Sequence, residues 1–371
     1  IITGLVGSEM CIRDRYIARG LYVYPPKQSI RLTTDLFQWC NENIPKWNTI
    51  SISGYHIREA GSTAVEEVAL TLANGIFYAE EAVKSGLDID DFAPRMSFFF
   101  GCHNDFFEEV SKFRAARELW YELVNERFNP KNPKSSQLRF HTQTAGVTLT
   151  AQQPINNAVR VSYQALSAVL GGTQSLHTNS YDEALGLPTD ESVKIALRTQ
   201  QIIASETGVA DIVDPLAGSY HVEELTATIK EKAKQLIVEL EKKGGVLDCL
   251  KMGVQQKMIH ESAWKEINDI EENNLFVVGV NCNIEENEEI NSAMIIDNEN
   301  ELRQVNKLNN YKKNRDQEKI LQELEKLRKV CEGNDNVMPS LIDALKSGAT
   351  VGEVNGVMRE VFGTWVSPSG V

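Results

Sequence analysis

Three histidines occupy equivalent places in this 371-residue sequence. His56, His141 and His177 each lie in or just after a short strand-like run. An imidazole at the C-terminal end of a parallel strand can meet a carbonyl oxygen or share a proton, and one such histidine is usually only a satisfied structural group. Three in matching positions point to a shared site, because β/α barrels gather their reactive groups at that end. Arg95 falls inside an apolar run, where its ordinary role is a buried ion pair and its functional role a contact to phosphate or carboxylate. Lys46 and Arg19 sit just ahead of strand-like runs, and each alone reads as a surface charge. Glu59 and Glu183 follow the first and fourth runs, where each can cap a helix N-terminus or bind a pair of sugar hydroxyls. His260 opens H-E-S-A-W and lacks the second histidine of a zinc-protease helix. No grouping of Ser, His and Asp stands out, and no metal site is expected.

The elements that must hold these residues alternate. Strands are expected at Thr49–Tyr55, Arg95–Phe100, Gln137–Thr144 and Thr173–Asn179, their starts roughly 35–45 residues apart. Between them lie helical periods. Val65, Val68, Leu72, Ile76, Ala79 and Val83 mark one, stopped by Gly86, and Phe106, Val110, Phe113, Trp120 and Val124 a second, with Asn104 as its expected cap. Val159, Leu166 and Leu170 mark a third, with Pro154 in its first turn. Strands alternating with helices predict a parallel sheet. The strands alternate apolar with polar: Ser51, Ser53 and Tyr55 oppose Ile50 and Ile52; Arg95 and Ser97 oppose Met96 and Phe98; Arg139, His141 and Gln143 oppose Leu138 and Phe140. A barrel normally fills its interior with Val, Ile and Leu. A polar inner face leaves room for a ligand along the axis. Four units cannot close an eight-stranded barrel, so the expectation is the C-terminal half of a TIM (β/α)8 barrel, with an open four-stranded sheet as the alternative. Beyond about Pro215 the chain turns helical, with helices at Glu223–Lys243 and Gln317–Val330, a surface excursion at Asn281–Asn310 and a helical pair over Met338–Phe362. The expected organisation is a non-native leader at 1–15, a partial barrel at 16–215 and a mainly helical extension at 216–371.

Composition limits the partners. The formal charge is −14, which opposes a nucleic-acid or anionic-membrane surface. No apolar run reaches the roughly 18 residues of a membrane span. The six cysteines form no C-x-x-C pair and read as free thiols in a reducing, cytoplasmic compartment.

Three runs carry a resemblance. Asn48-Thr49-Ile50-Ser51-Ile52-Ser53-Gly54-Tyr55-His56, Phe92-Ala93-Pro94-Arg95-Met96-Ser97-Phe98-Phe99 and Gly171-Gly172-Thr173-Gln174-Ser175-Leu176-His177-Thr178-Asn179, continued by Asp182-Glu183-Ala184-Leu185-Gly186-Leu187-Pro188, resemble the methylmalonyl-CoA mutase family. The resemblance runs from about Tyr16 to the C-terminus. It implies a TIM barrel threaded by an acyl-CoA, adenosylcobalamin as cofactor, and a radical rearrangement of the acyl carbon skeleton. Methylmalonyl-CoA/succinyl-CoA interconversion is the expected reaction. The alternatives are a 2-hydroxyisobutyryl-CoA or isobutyryl-CoA mutase large subunit, and a non-catalytic subunit of a mutase heterodimer. By resemblance His56 hydrogen-bonds the thioester carbonyl with Tyr55 beside it. Lys46, Arg95 and Ser97 bind CoA, and Arg19 pairs with the free carboxylate of methylmalonyl-CoA. Glu59, His141, Gln143, Gln174, Asn179 and Glu183 surround the corrin and adenosyl group. The family's first barrel half and its D-x-H-x-x-G cobalamin motif are absent from the sequence. The expectations are therefore a truncated chain, inactive alone, and a separate small cobalamin-binding subunit in a hetero-oligomer.

Overall fold

The structure, a computed structural model, describes residues 24–285 and 298–366. Arg19, Cys11 and the expected leader lie outside the described residues. Four short strands, β1 (Ser51–Ser53), β2 (Ser97–Cys102), β3 (Phe140–Thr144) and β4 (Ser175–His177), form one parallel sheet in the order β1-β2-β3-β4. The first helix, α1 (Pro26–Asn43), precedes β1. Helices α2 (Tyr55–Glu59) and α3 (Ala64–Lys84) follow β1, α4 (Phe106–Phe128) follows β2, α5 (Asn156–Leu170) follows β3 and α6 (Asp190–Glu206) follows β4. This is a run of successive β/α units, a partial barrel of the TIM type.

The alternation in the strands sets what each face does. Ile52, Phe98 and Phe140 pair in one row, and with Ile50 and Phe100 they bury themselves against Val68, Leu72 and Ile76 of α3 and Phe113 and Trp120 of α4. The opposite face carries Ser51 beside Ser97, then the row Ser53, Phe99, His141 and Ser175, then Gly101, Gln143 and His177. Ser53, His141 and His177 thus share one side of the sheet, as the barrel reading requires.

The helices start where local chemistry starts them. Thr63 and Glu66 make a capping box at the head of α3. Asp105, and not the expected Asn104, caps α4 by accepting from the Glu108 N–H at 3.2 Å. Either residue type suits a cap, and the strand simply runs long enough to put Asp105 at the turn. Helix α5 begins at Asn156, so Pro154 precedes its first turn.

The rest is helical: α7 (Tyr220–Lys242), α8 (Gly245–Lys251), α9 (Val254–Glu271), α10 (Asn298–Lys313), α11 (Gln317–Glu332), α12 (Val337–Ser347) and α13 (Val351–Phe362). The expected excursion at Asn281–Asn310 is corrected in its last part, which forms α10. Helices α11–α13 fold back on α1, where Leu32, Leu36 and Cys40 pack with Ile320, Leu327, Leu341 and Met358 in a second core. Among the described residues the five cysteines are free, and no helix is long and apolar enough to cross a membrane.

Two strand expectations fail. The first strand stops at Ser53, and Tyr55 begins α2, so Tyr55 and His56 project from a helical turn. Arg95 is half-buried in a 3-10 turn, Ala93–Arg95, rather than buried in β2. Pro94 fits the start of such a turn and has no N–H to give a ladder.

Candidate functional site

The C-terminal ends of the strands bring six of the expected residues together. Tyr55, His56 and Glu59 come from α2, Gln143 from β3, and Asn179 and Glu183 from the loop after β4. Ser53 Oγ lies 2.9 Å from His56 Nδ1, which sets the ring's orientation. Gln143 Nε2 donates to Asn179 Oδ1 at 2.8 Å, and Asn179 is tied back to Thr144 through its own N–H and Nδ2, both at 2.9 Å. Glu59 reaches the turn after β3, where Oε2 accepts from the Val147 N–H at 2.9 Å. Gly146 lets these groups converge: a Cβ there would lie 3.1 Å from Glu59 Oε2 and 3.2 Å from Asn179 Nδ2.

Phe99 centres the group, and sequence reasoning did not single it out. The Tyr55 ring stacks on it at 4.7 Å and 4°, His56 meets it edge-on at 5.9 Å, and His141 lies 5.1 Å away. The signal was present in the strand parity, since Phe99 alternates with Ser97 and Gly101 on the polar face. His141 is held by Ser175, Nδ1 to Oγ 2.7 Å.

The electrostatics follow from burial. Glu59 is pushed up from 4.5 to about 7, first by burial and then, against its two backbone hydrogen bonds, by the Glu183 charge. Burial also raises Glu183 and the Tyr55 hydroxyl, and Glu59 repels the Tyr55 phenolate further. His141 is lowered by burial and then by His177, which favours its neutral form.

A raised carboxyl pKa means that the folded protein holds the proton more tightly than the unfolded chain. The resulting stability is fully present below 4.5 and is lost as pH rises through about 7. Glu59→Gln should therefore flatten the stability profile across that window, by about 3 kcal/mol between its ends. Urea unfolding at pH 4.5, 6 and 7.5 checks this; parallel profiles for the two proteins would contradict it.

Lys46, Arg95, Ser97 and Gln174 gather at the N-terminal ends of the strands. Ser97 Oγ donates to the Ile50 carbonyl at 2.9 Å. Arg95 donates to the Pro45 and Asp91 carbonyls and to Asn41 Oδ1, the last at 2.9 Å, which places it beside exposed Lys46. Arg139 donates to the Pro94 carbonyl at 2.7 Å and adds a third cation there. Gln174 also lies at this end. Its Oε1 accepts from the Phe140 N–H at 2.6 Å and its Nε2 donates to the Gly172 carbonyl, so the structure does not bring it to Glu59 and Asn179. From Ser97 to Gly101 the two ends stand about 13 Å apart along β2, at about 3.3 Å per residue. One polar face thus offers cations at one end and imidazole, aromatic rings, amides and carboxylates at the other. Among the described residues no His, Cys, Asp and Glu cluster has the arrangement of a metal site.

A parallel β/α sheet with one polar face and polar side chains converging at its C-terminal edge defines a partial barrel of the TIM type. The methylmalonyl-CoA mutase family model matches residues 2–364. The chain belongs to the methylmalonyl-CoA mutase family, whose named mutases are isomerases. It is 44% identical over 366 residues to the 2-hydroxyisobutanoyl-CoA mutase large subunit of Aquincola tertiaricarbonis, covering 98% of this chain and 65% of that protein. It is 43% identical over 371 residues to the methylmalonyl-CoA mutase of Escherichia coli (strain K12), covering 99% and 51%. For the human mitochondrial methylmalonyl-CoA mutase the figures are 42% over 366 residues, 98% and 48%. The chain spans about half to two thirds of the length of these relatives.

Proposed function

We propose that this chain is the acyl-CoA-binding part of an adenosylcobalamin-dependent mutase, and that the reaction is the interconversion of methylmalonyl-CoA and succinyl-CoA. The observation that carries the reading is the two-ended polar face. A CoA ester is an elongated polyanion with a carbonyl at its tip, and it suits a channel with Lys46, Arg95 and Ser97 at one end and His56 at the other. His56 is the expected donor to the thioester oxygen, oriented by Ser53. Tyr55 and Phe99 form an apolar wall that excludes water from the reacting carbons.

The residues at the C-terminal end fit the adenosyl group of the cofactor. Glu59 Oε1 is buried with no hydrogen-bond partner, and Glu183, Asn179 and Gln143 converge beside it. Carboxylates and amides are the acceptors and donors that ribose hydroxyls need. Bound there, with its adenosyl group held by Glu59, Glu183, Asn179 and Gln143, adenosylcobalamin would supply radical chemistry. A separate small subunit carrying the cobalamin-binding domain is the proposed partner, in line with a relative named as a large subunit.

The second reading is a mutase for an uncharged acyl-CoA, favoured by the 2-hydroxyisobutanoyl-CoA relative. Arg19 separates the two, because a buried substrate carboxylate requires a cation. The test is turnover by the full-length protein with adenosylcobalamin, with and without the cobalamin-binding partner, on methylmalonyl-CoA and isobutyryl-CoA. The expected result is partner-dependent turnover that prefers methylmalonyl-CoA, with the preference erased in Arg19→Gln. Turnover without the partner would refute the two-subunit assignment, and a preference for isobutyryl-CoA would move the substrate to the second reading.

A further inference from the structure

Helix α2 carries Tyr55, His56 and Glu59 yet has only five residues. Helices this short do not hold themselves in water, so tertiary contacts must fix it. Its buried cation, Arg58, enters a cluster of charged side chains. The Arg58 guanidinium lies 3.6 Å from Glu109 and 3.5 Å from Glu108, and it donates to the Ser62 carbonyl. Glu109 pairs with Lys112, and Lys112 pairs with Glu67 at 2.7 Å. The Glu67, Glu109 and Lys112 side chains are fully buried.

The cluster stands where the β1–β2 ladder would continue. The Ser97 N–H reaches Ile50 and the Phe99 carbonyl receives the Gly54 N–H, so alternate residues of β2 face β1. Gly101 is next in that series, but the neighbouring chain has already turned into α2. Glu67 accepts from the Gly101 N–H at 2.7 Å, and Lys112 donates to the Gly101 carbonyl at 2.8 Å. Two side chains thus replace the missing strand. The Arg58 stem lies over the same residue: a Cβ on Gly101 would come within 3.2 Å of Arg58 Cγ.

We propose that Arg58, seated by the Glu67–Lys112–Glu109 cluster, is a positioning residue that fixes α2 and through it the Tyr55, His56 and Glu59 side chains. The cluster's ion pairs and hydrogen bonds join Arg58, Glu67, Glu108, Glu109, Lys112, Ser62 and Gly101. The cluster sets the angle of α2, which carries Tyr55, His56 and Glu59. The turnover arm of the test rests on the proposed mutase activity; the hydrogen-exchange arm does not.

The experiment uses the full-length protein, with its cobalamin-binding partner for turnover. In Arg58→Met, amide exchange in peptides spanning 54–62 should quicken about tenfold or more while peptides from β3 and α5 stay as in the wild type. CoA affinity should stay within about twofold, because Lys46, Arg95 and Ser97 are untouched, while kcat falls about thirtyfold through misplacement of α2. Arg58→Lys keeps the stem and the charge and should recover kcat to within about fivefold of wild type. Unchanged exchange at 54–62, exchange quickened evenly across the chain, or CoA affinity falling in step with kcat would each overturn the assignment. Should Arg58→Met not fold, Arg58→Gln, which also removes the charge, is measured by the same criterion. A wild type that turns over no acyl-CoA would refute the mutase reading, and the exchange pattern would still decide the role of Arg58.

Discussion

In the full-length protein with the proposed cobalamin-binding partner, His56→Ala is expected to lower kcat/KM for the proposed acyl-CoA substrate by about 10²–10³-fold. On the proposed role of His56, the size follows from the loss of one preorganised donor at a carbonyl oxygen that gains charge, which typically costs about 3–4 kcal/mol. The geometry makes the donor preorganised. Ser53 holds Nδ1 at 2.9 Å, and the Phe99 ring abuts the imidazole edge-on. An oriented imidazole meets the developing charge without reorganising. The binding of CoA itself should change little, because the cations lie at the opposite end of the strands. Steady-state kinetics and CoA titration on one preparation separate the two quantities. A loss confined to KM would place His56 in ground-state binding, and a loss under about threefold would remove it from the reaction.

Lys112→Met should be the most destabilising single change among the described charges, costing about 3–5 kcal/mol. Lys112 is fully buried with Glu67 and Glu109, and it also donates to the Gly101 carbonyl. Methionine fills a similar volume but leaves two buried carboxylates with Arg58 as their remaining cation. Burial already raises Glu67 above the ordinary carboxyl range, with Lys112 as the main influence opposing it. Without Lys112 one carboxyl must take up a proton or open the structure to water. The double variant Lys112→Met/Glu109→Gln should recover part of the loss, because it removes a charge that has lost its partner. Guanidinium unfolding measures both. A single-variant cost below about 1 kcal/mol would show the cluster to be solvated and not the dry framework described above.

Much of this protein was legible in its sequence. Period-two alternation gave the first three strands their polar face, because side chains of a strand must point to opposite sides. Period 3.6 located α3, α4, α7 and α11 to within a few residues, because one helical stripe must be apolar to pack. The three long motif runs identified the family, and the histidines near strand ends marked the end of the sheet where Tyr55, Glu59, Gln143, Asn179 and Glu183 converge.

Other features needed the tertiary structure. Strand ends depend on where a neighbour stops, so β1 ended at Ser53 and released Tyr55 and His56 into a helix. Arg95 looked buried in an apolar run, but the turn built on Pro94 put it at the rim beside Lys46. The division of the site residues between two ends, with Gln174 among the cations' neighbours, follows from sheet register, which no spacing along the chain encodes. Glu67, Glu109 and Lys112 read as ordinary charges on amphipathic helices. They became a buried framework only because β1 and β2 differ in length. The N–H and carbonyl of Gly101, left without a strand partner, then found theirs in Glu67 and Lys112.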